Sequence, residues 1–166
     1  KNILIDVFDK GQLSGDCKKA AGEMKPESIE SLECKLNVPD DIVSSQNIWT
    51  KVAFDGNLLA SLQTEIISQD EYDLRLKTGN FQRQAKTYTF SDKNIQLTVD
   101  FDEAPPIVPG TRHFAKLKIN NIGNGLVQSI KSRAVKVDSD ILSCPSTGEI
   151  FPTGREFPTI ACEINV

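Results

Sequence analysis

Apolar residues in this chain fall mostly at every second position. Ile3, Ile5 and Val7 alternate with Leu4, Asp6 and Phe8, and Leu32, Cys34, Leu36 and Val38 alternate with Glu33, Lys35 and Asn37. Ile95, Leu97, Val99 and Phe101 form a third row, Ala115, Leu117 and Ile119 a fourth, and Ile160, Cys162, Ile164 and Val166 a fifth. Successive side chains on a strand point to opposite faces, so a period of two predicts β-strands with one face toward a core. The first run is apolar on both faces apart from Asp6 and is expected to be covered on both sides. In the others the first-named row is expected to point inward.

The segments between these rows carry turn chemistry. Asp55-Gly56-Asn57, between apolar runs at 48–54 and 58–68, predicts a long β-hairpin. Leu58, Leu59, Leu62, Ile66 and Ile67 also fit helical spacing, but the hairpin arm is the preferred reading. Tyr72, Leu74 and Leu76 alternate and predict a further strand, with a linker over 79–86. Residues 17–25 read as a loop, because Pro26 stops any longer helix. In the second half, 86–90 is a short strand, 91–94 a turn, and 127–137 a strand pairing back. The proline-rich stretch 102–110 reads as a crossing loop, since proline has no N–H to give to a ladder. Residues 120–125 supply Asn and Gly for a tight turn. Short strands between turn signals, with no long helix, predict an all-β fold of the β-sandwich type. One or two modules are expected, over 1–82 (an N-terminal β module, incomplete as it stands) and 83–166.

A repeat organises the cysteines. Cys17 is followed by Gly22-Glu23-Met24-Lys25-Pro26 and then Cys34-Lys35-Leu36-Asn37-Val38; Cys144 is followed by Gly148-Glu149-Ile150-Phe151-Pro152 and then Cys162-Glu163-Ile164-Asn165-Val166. These are all the cysteines of the chain. Four cysteines allow three complete pairings, and the repeat favours the two local ones, Cys17 with Cys34 and Cys144 with Cys162. In the chain-entropy model each such short loop gains about 3 kcal/mol. A four-thiolate metal site is the rival, but zinc sites draw on close pairs such as Cys-x2-Cys, and none occurs. Two disulfides imply an oxidising compartment, so an extracellular or cell-surface location is expected.

Composition narrows the function classes. A net charge of −4 and a pI near 5.1, with Lys and Arg scattered, disfavour a nucleic-acid partner. No run of 18 apolar residues occurs, so no membrane span is expected in this chain. Its start, Lys1-Asn2-Ile3-Leu4-Ile5-Asp6, is not a signal peptide and suits a processed product or a piece of a longer protein. No asparagine is followed by x-Ser or x-Thr, so no N-glycan acceptor is present.

Val108-Pro109-Gly110, then Phe114-Ala115-Lys116-Leu117-Lys118-Ile119, then Asn121-Ile122-Gly123-Asn124-Gly125, resembles the Pro-Gly, alternating strand, Asn-x-Gly pattern of immunoglobulin-like surface and adhesion modules of the CARDB kind, common in archaeal and bacterial envelope proteins. The likeness covers residues 94–166 directly. Residues 1–38 look similar to the closing half of such a module, with 3–17 laid against 133–144. The resemblance implies an immunoglobulin-like sandwich and a mostly non-catalytic family. It also leaves the first module without its opening strands. Residues 39–80 filling that role, a longer array, and a strand donated by a neighbouring subunit are the three ways to complete it.

Residues suited to chemistry are few. His113 is the single histidine, and no Gly-x-Ser-x-Gly elbow or His-Glu-x-x-His helix accompanies it. It is expected as an exposed strand residue. With both disulfides formed there is no free thiol nucleophile. Acidic clusters occur at Asp40 and Asp41, at Asp70, Glu71 and Asp73, at Asp100, Asp102 and Glu103, and at Asp138 and Asp140. They are expected chiefly as a solvated rim, with Asp100 and Asp102, on one face of a strand, as the first candidate pair for Ca²⁺. Trp49, Tyr72 and Tyr88 are candidates for a sugar-stacking row, against core packing. The sequence thus predicts a non-catalytic extracellular protein with a structural or adhesive role, needing no cofactor and assembling with protein partners or itself by β-strand pairing. A carbohydrate- or Ca²⁺-binding module is the alternative.

Overall fold

The computed structural model describes residues 2–9, 14–17, 22–23, 33–41, 45 and 49–166, the first three stretches and 49–51 as backbone only. The chain divides into two compact units, Lys1–Asn57 and Leu58–Val166.

The first unit holds β1 (Asn2–Asp9), β2 (Ser14–Cys17), β3 (Gly22–Glu23), β4 (Cys34–Asn37) and β5 (Trp49–Phe54). β1 lies between β3 and β5, antiparallel to both, and β2 pairs antiparallel with β4 in a separate two-stranded sheet. The run 2–9 is therefore a strand, as its alternation predicts; the expectation that both its faces are covered lies outside the described side chains. The expected hairpin about Asp55-Gly56 does not form. Residues 49–54 pair instead with β1, from Ile3↔Phe54 to Val7↔Thr50. A two-residue type I′ turn needs positive φ at both central residues, and Gly56 does not adopt it. The inward row predicted for the second run also fails in this unit. Cys34 is exposed, Leu36 half-buried and Val38 66% exposed; Leu32 lies outside the described residues.

The second unit opens with an irregular segment and α1 (Gln69–Thr78), followed by β6 (Thr87–Ser91), β7 (Ile95–Phe101), β8 (His113–Asn121), β9 (Leu142–Ser143) and β10 (Ile160–Ile164). Residues 72–76 are thus helical, not a strand. Ser68 caps the helix by accepting from the Glu71 N–H, Gly79 ends it at φ 72°, and Asp70 and Glu71 face the positive end of its dipole. The five strands form one antiparallel sheet in the order β6-β7-β8-β10-β9. Val99, Phe101, Ala115, Leu117, Ile160, Cys162 and Ile164 are buried on one face and join Ile107 in the core. That face is covered by Leu62, Ile66, Val135 and Ile150 from irregular segments. Thr89, Thr98, Asp100 and Lys118 hydrogen-bond across the other face, giving the one-sided burial usual for an antiparallel sheet.

Two expectations need adjustment here. Residues 127–137 make no continuous strand; Ile130 alone bridges antiparallel to Ile150. The proline stretch is more than a crossing loop, because Ile107, 2% exposed, bridges parallel to Ile66, with the Ile107 N–H donating to Glu65 O and the Ile67 N–H to Ile107 O. Pro105 and Pro106, joined by a cis bond, are buried before it.

Candidate functional site

The second cysteine pair is where sequence and geometry agree most closely. β9 and β10 run antiparallel with Ser143 opposite Glu163 and Leu142 opposite Ile164. One step further along the same ladder Cys144 meets Cys162, and the two are disulfide-bonded with Cα atoms 4.2 Å apart. Cys162 and its neighbour across the ladder, Ala115, are both 0% exposed. In the first unit the backbone register sets Cys17 opposite Cys34.

His113 is the first residue of β8 and, against expectation, is buried, at 4% exposure. The parity of β8 explains this, because 113 shares the inward face with Ala115, Leu117 and Ile119. Its Nε2 lies 3.0 Å from the Val108 carbonyl and 3.0 Å from Thr111 Oγ1. A carbonyl only accepts, so Nε2 carries the hydrogen. Nδ1 is 4.0 Å from Glu103 Oε2, beyond hydrogen-bond range. The histidine pins the end of the proline loop to the sheet. Among the described residues its hydrogen-bond partners are Val108 and Thr111.

Asp100 and Asp102 both follow the alternation of β7, but their oxygens have protein partners. Asp100 Oδ1 accepts from Thr87 Oγ1 at 3.0 Å and Oδ2 from Lys118 Nζ at 3.1 Å. The Lys118 ammonium, and after it the Thr87 hydroxyl, hold the Asp100 carboxyl below its ordinary pKa. Asp102 Oδ1 accepts from the Glu103 N–H at 2.9 Å. Asp73 accepts from Gln69, and Glu71 pairs with Arg75, which also reaches Glu65 at 3.0 Å. Among the described residues no group of three or more His, Cys, Asp or Glu is placed to hold a metal ion.

Tyr72 packs edge-on to Phe81, ring centroids 4.8 Å apart, and Tyr88 edge-on to Phe101 at 6.1 Å. Each ring is thus used in packing within the second unit, whereas Trp49 belongs to the first. An open groove of about 460 Å³ is lined by Gln63, Thr64, Glu65, Ile66 and Gln84. Its polar groups serve one another, since Gln84 Oε1 accepts from Thr64 Oγ1 and the Glu65 N–H. No helix is long and apolar enough to cross a membrane among the described residues.

Sequence reasoning missed the inward position of His113, which strand parity signals, and the Ile66–Ile107 bridge, which no local pattern announces. No family model, no curated protein and no solved structure matches the chain.

Proposed function

We propose that this is an extracellular structural or adhesive protein of a cell envelope or surface filament, built of immunoglobulin-like β-sandwiches of the CARDB kind and without catalysis. The observation that carries this reading is the disulfide at Cys144–Cys162, which braces two adjacent strands within a repeat that occurs twice. Such bonds persist in oxidising compartments and are rare in reducing ones. In this reading Cys17 and Cys34, opposite each other on β2 and β4, form the equivalent bond. The second layer of the sandwich is supplied by the segments carrying Leu62, Ile66, Ile107, Val135 and Ile150.

The engagement of His113 with Val108 and Thr111, and of Asp100 with Lys118 and Thr87, supports a role in holding the fold rather than in turnover. No cofactor is needed, and partners are proteins that pair through β-strands. The test is surface labelling of cells producing the protein with a membrane-impermeant amine reagent, followed by peptide mapping without reduction. The expected result is a labelled protein with Cys17–Cys34 and Cys144–Cys162 links. Protein found only inside the cell with free thiols would overturn the reading.

A further inference from the structure

Of the ten asparagines in the chain, Asn124 alone is followed by glycine. The residues after the other nine all carry side chains, and six of these are β-branched. An asparagine is labile when the backbone nitrogen of the next residue reaches its side-chain carbonyl carbon, and a side chain on that next residue stands in the way. Glycine, with no Cβ, permits the close approach. Asn124 is thus the asparagine whose local sequence favours attack on itself.

The turn after β8 leaves this pair open while fixing the residues around it. Asn121, 6% exposed, accepts from the Gly123 N–H through Oδ1 at 3.1 Å and donates from Nδ2 to Gly125 O at 2.7 Å. The Ile122 and Gly123 N–H groups also donate to Asn94 O, at the turn between β6 and β7. Asn124 and Gly125 are both exposed, and among the described residues neither the Gly125 N–H nor the Asn124 side chain is hydrogen-bonded. The two glycines of the turn differ in kind. A Cβ on Gly123 would come within 2.9 Å of Asn94 Oδ1 and 3.1 Å of Asn94 Cα, so packing requires glycine there. A Cβ on Gly125 would meet nothing within 4 Å, and the φ of Gly125 lies outside the left-handed region. Neither packing nor backbone demands glycine at 125, and the space that a rotating Asn124 side chain needs is free.

We propose that Asn124 is a self-modifying position, converted without an enzyme to isoaspartate and aspartate. The Gly125 nitrogen attacks Asn124 Cγ; a C–N bond forms, the Cγ–Nδ2 bond breaks, and Nδ2 leaves as ammonia with the proton given up by the Gly125 nitrogen. Water then opens the five-membered imide. Opening at the backbone carbonyl gives isoaspartate, with the chain running through the side-chain carbons, and opening at Cγ gives aspartate. Either product places a carboxylate where a neutral amide stood. Isoaspartate also adds one carbon to the backbone between Asn124 Cα and Gly125, inside the span that Asn121 clamps. It therefore draws Gly125 O away from Asn121 Nδ2 and loosens Ile122 and Gly123 from Asn94.

This inference rests on turn chemistry and not on the functional reading above, so its failure leaves the labelling test unaffected. The full chain is incubated in mildly alkaline buffer, folded and in urea, and sampled over weeks by peptide mapping with fragmentation that separates isoaspartate from aspartate. The tryptic peptide 119–131 carries Asn120 and Asn121 as internal controls. Asp55, which Gly56 follows, lies on another peptide and isomerises without a change of mass. In the folded chain Asn124 is expected to exchange its NH2 for OH at least about 10-fold faster than Asn120 or Asn121, with isoaspartate the larger product, and Gly125→Ala should slow it by a similar factor. Amide exchange at Ile122 and Gly123 should accelerate in the aged chain but not in Asn124→Asp, which has the charge without the extra carbon. The proposal is overturned if Asn124 converts in urea but not in the folded chain, or if aspartate forms without isoaspartate. It is equally overturned if Gly125→Ala converts as fast as the unaltered chain, or if the aged chain exchanges at Ile122 and Gly123 no faster than Asn124→Asp.

Discussion

His113 shows how a single polar residue on the inward face of a sheet is held by hydrogen bonds to the loop before it. Its Nε2–H donates to the carbonyl of the half-buried Val108, and the ring itself is 4% exposed, so removing it takes away that hydrogen bond and leaves a cavity on the inward face. His113→Ala is expected to cost about 2 kcal/mol in chemical denaturation, by the lost packing of a buried ring and the lost hydrogen bond to Val108. Asp100 acts on the opposite, polar face. Its pKa is lowered in the folded state, so its contribution is present above the unfolded value near 3.8 and is lost as pH falls through the depressed folded value. Because Lys118 and Asp100 are partly exposed, the pair is worth only about 0.2–1 kcal/mol. A denaturation series from pH 6 downward should show the chain with Asp100→Asn losing less stability below about pH 4 than the unaltered chain. The alternation of β7 placed Asp100 on the polar face from the sequence, whereas the inward face of His113, which the parity of β8 signals, was missed. What alternation could not supply was the cross-strand register that sets Asp100 opposite Lys116 and diagonal to Lys118, two residues along β8.

At the scale of elements, local pattern succeeded where one face is buried and failed where pairing is distant or absent. β7, β8 and β10 bury alternate residues against a single core, so a period of two is written directly into their sequences. α1 buries no residue completely, and Tyr72, Leu74 and Leu76 mimic a strand. Its signature lies in the ends instead: Ser68 three residues before Glu71, and Gly79 past the last turn. Ser68→Ala removes the oxygen that accepts from the Glu71 N–H and should destabilise this helix by about 1 kcal/mol. Since the helix is largely exposed, faster amide exchange over 69–78 with unchanged protection in β7 and β8 is the expected outcome. The Asp55-Gly56 hairpin failed for the opposite reason. A turn signal competes with every other partner a strand has, and β1 offers 49–54 a ladder from Ile3 to Asp9 that no local motif reveals.

Across the whole molecule, the doubled cysteine motif told more than any single strand, because the same order of residues in two copies, at nearly the same spacing, carries over to the same cysteine register in two units. The strands that surround each copy were less legible. Nothing local in 33–41 distinguishes the exposure of Cys34 and Val38 from the burial of Cys162 and Ile164, and the burial is explained only when β8 is seen beside Cys162. That placement also makes the Cys144–Cys162 bond a core component of the second unit. It closes a loop of sequence separation 18, for which the chain-entropy model gives about 3 kcal/mol. Replacing both residues, Cys144→Ala with Cys162→Ala, also removes the sulfur of the fully buried Cys162 from the core, so the loss should be at least that large. For a unit of this size 1 kcal/mol corresponds to roughly 4–8 °C, so calorimetry should place its unfolding at least about 10 °C lower. Exchange in β8 and β10 should accelerate with it. Protection along the β1–β5 ladder, which belongs to the separately compact Lys1–Asn57 unit, should hold; its loss in the same variant would show that the two units unfold as one.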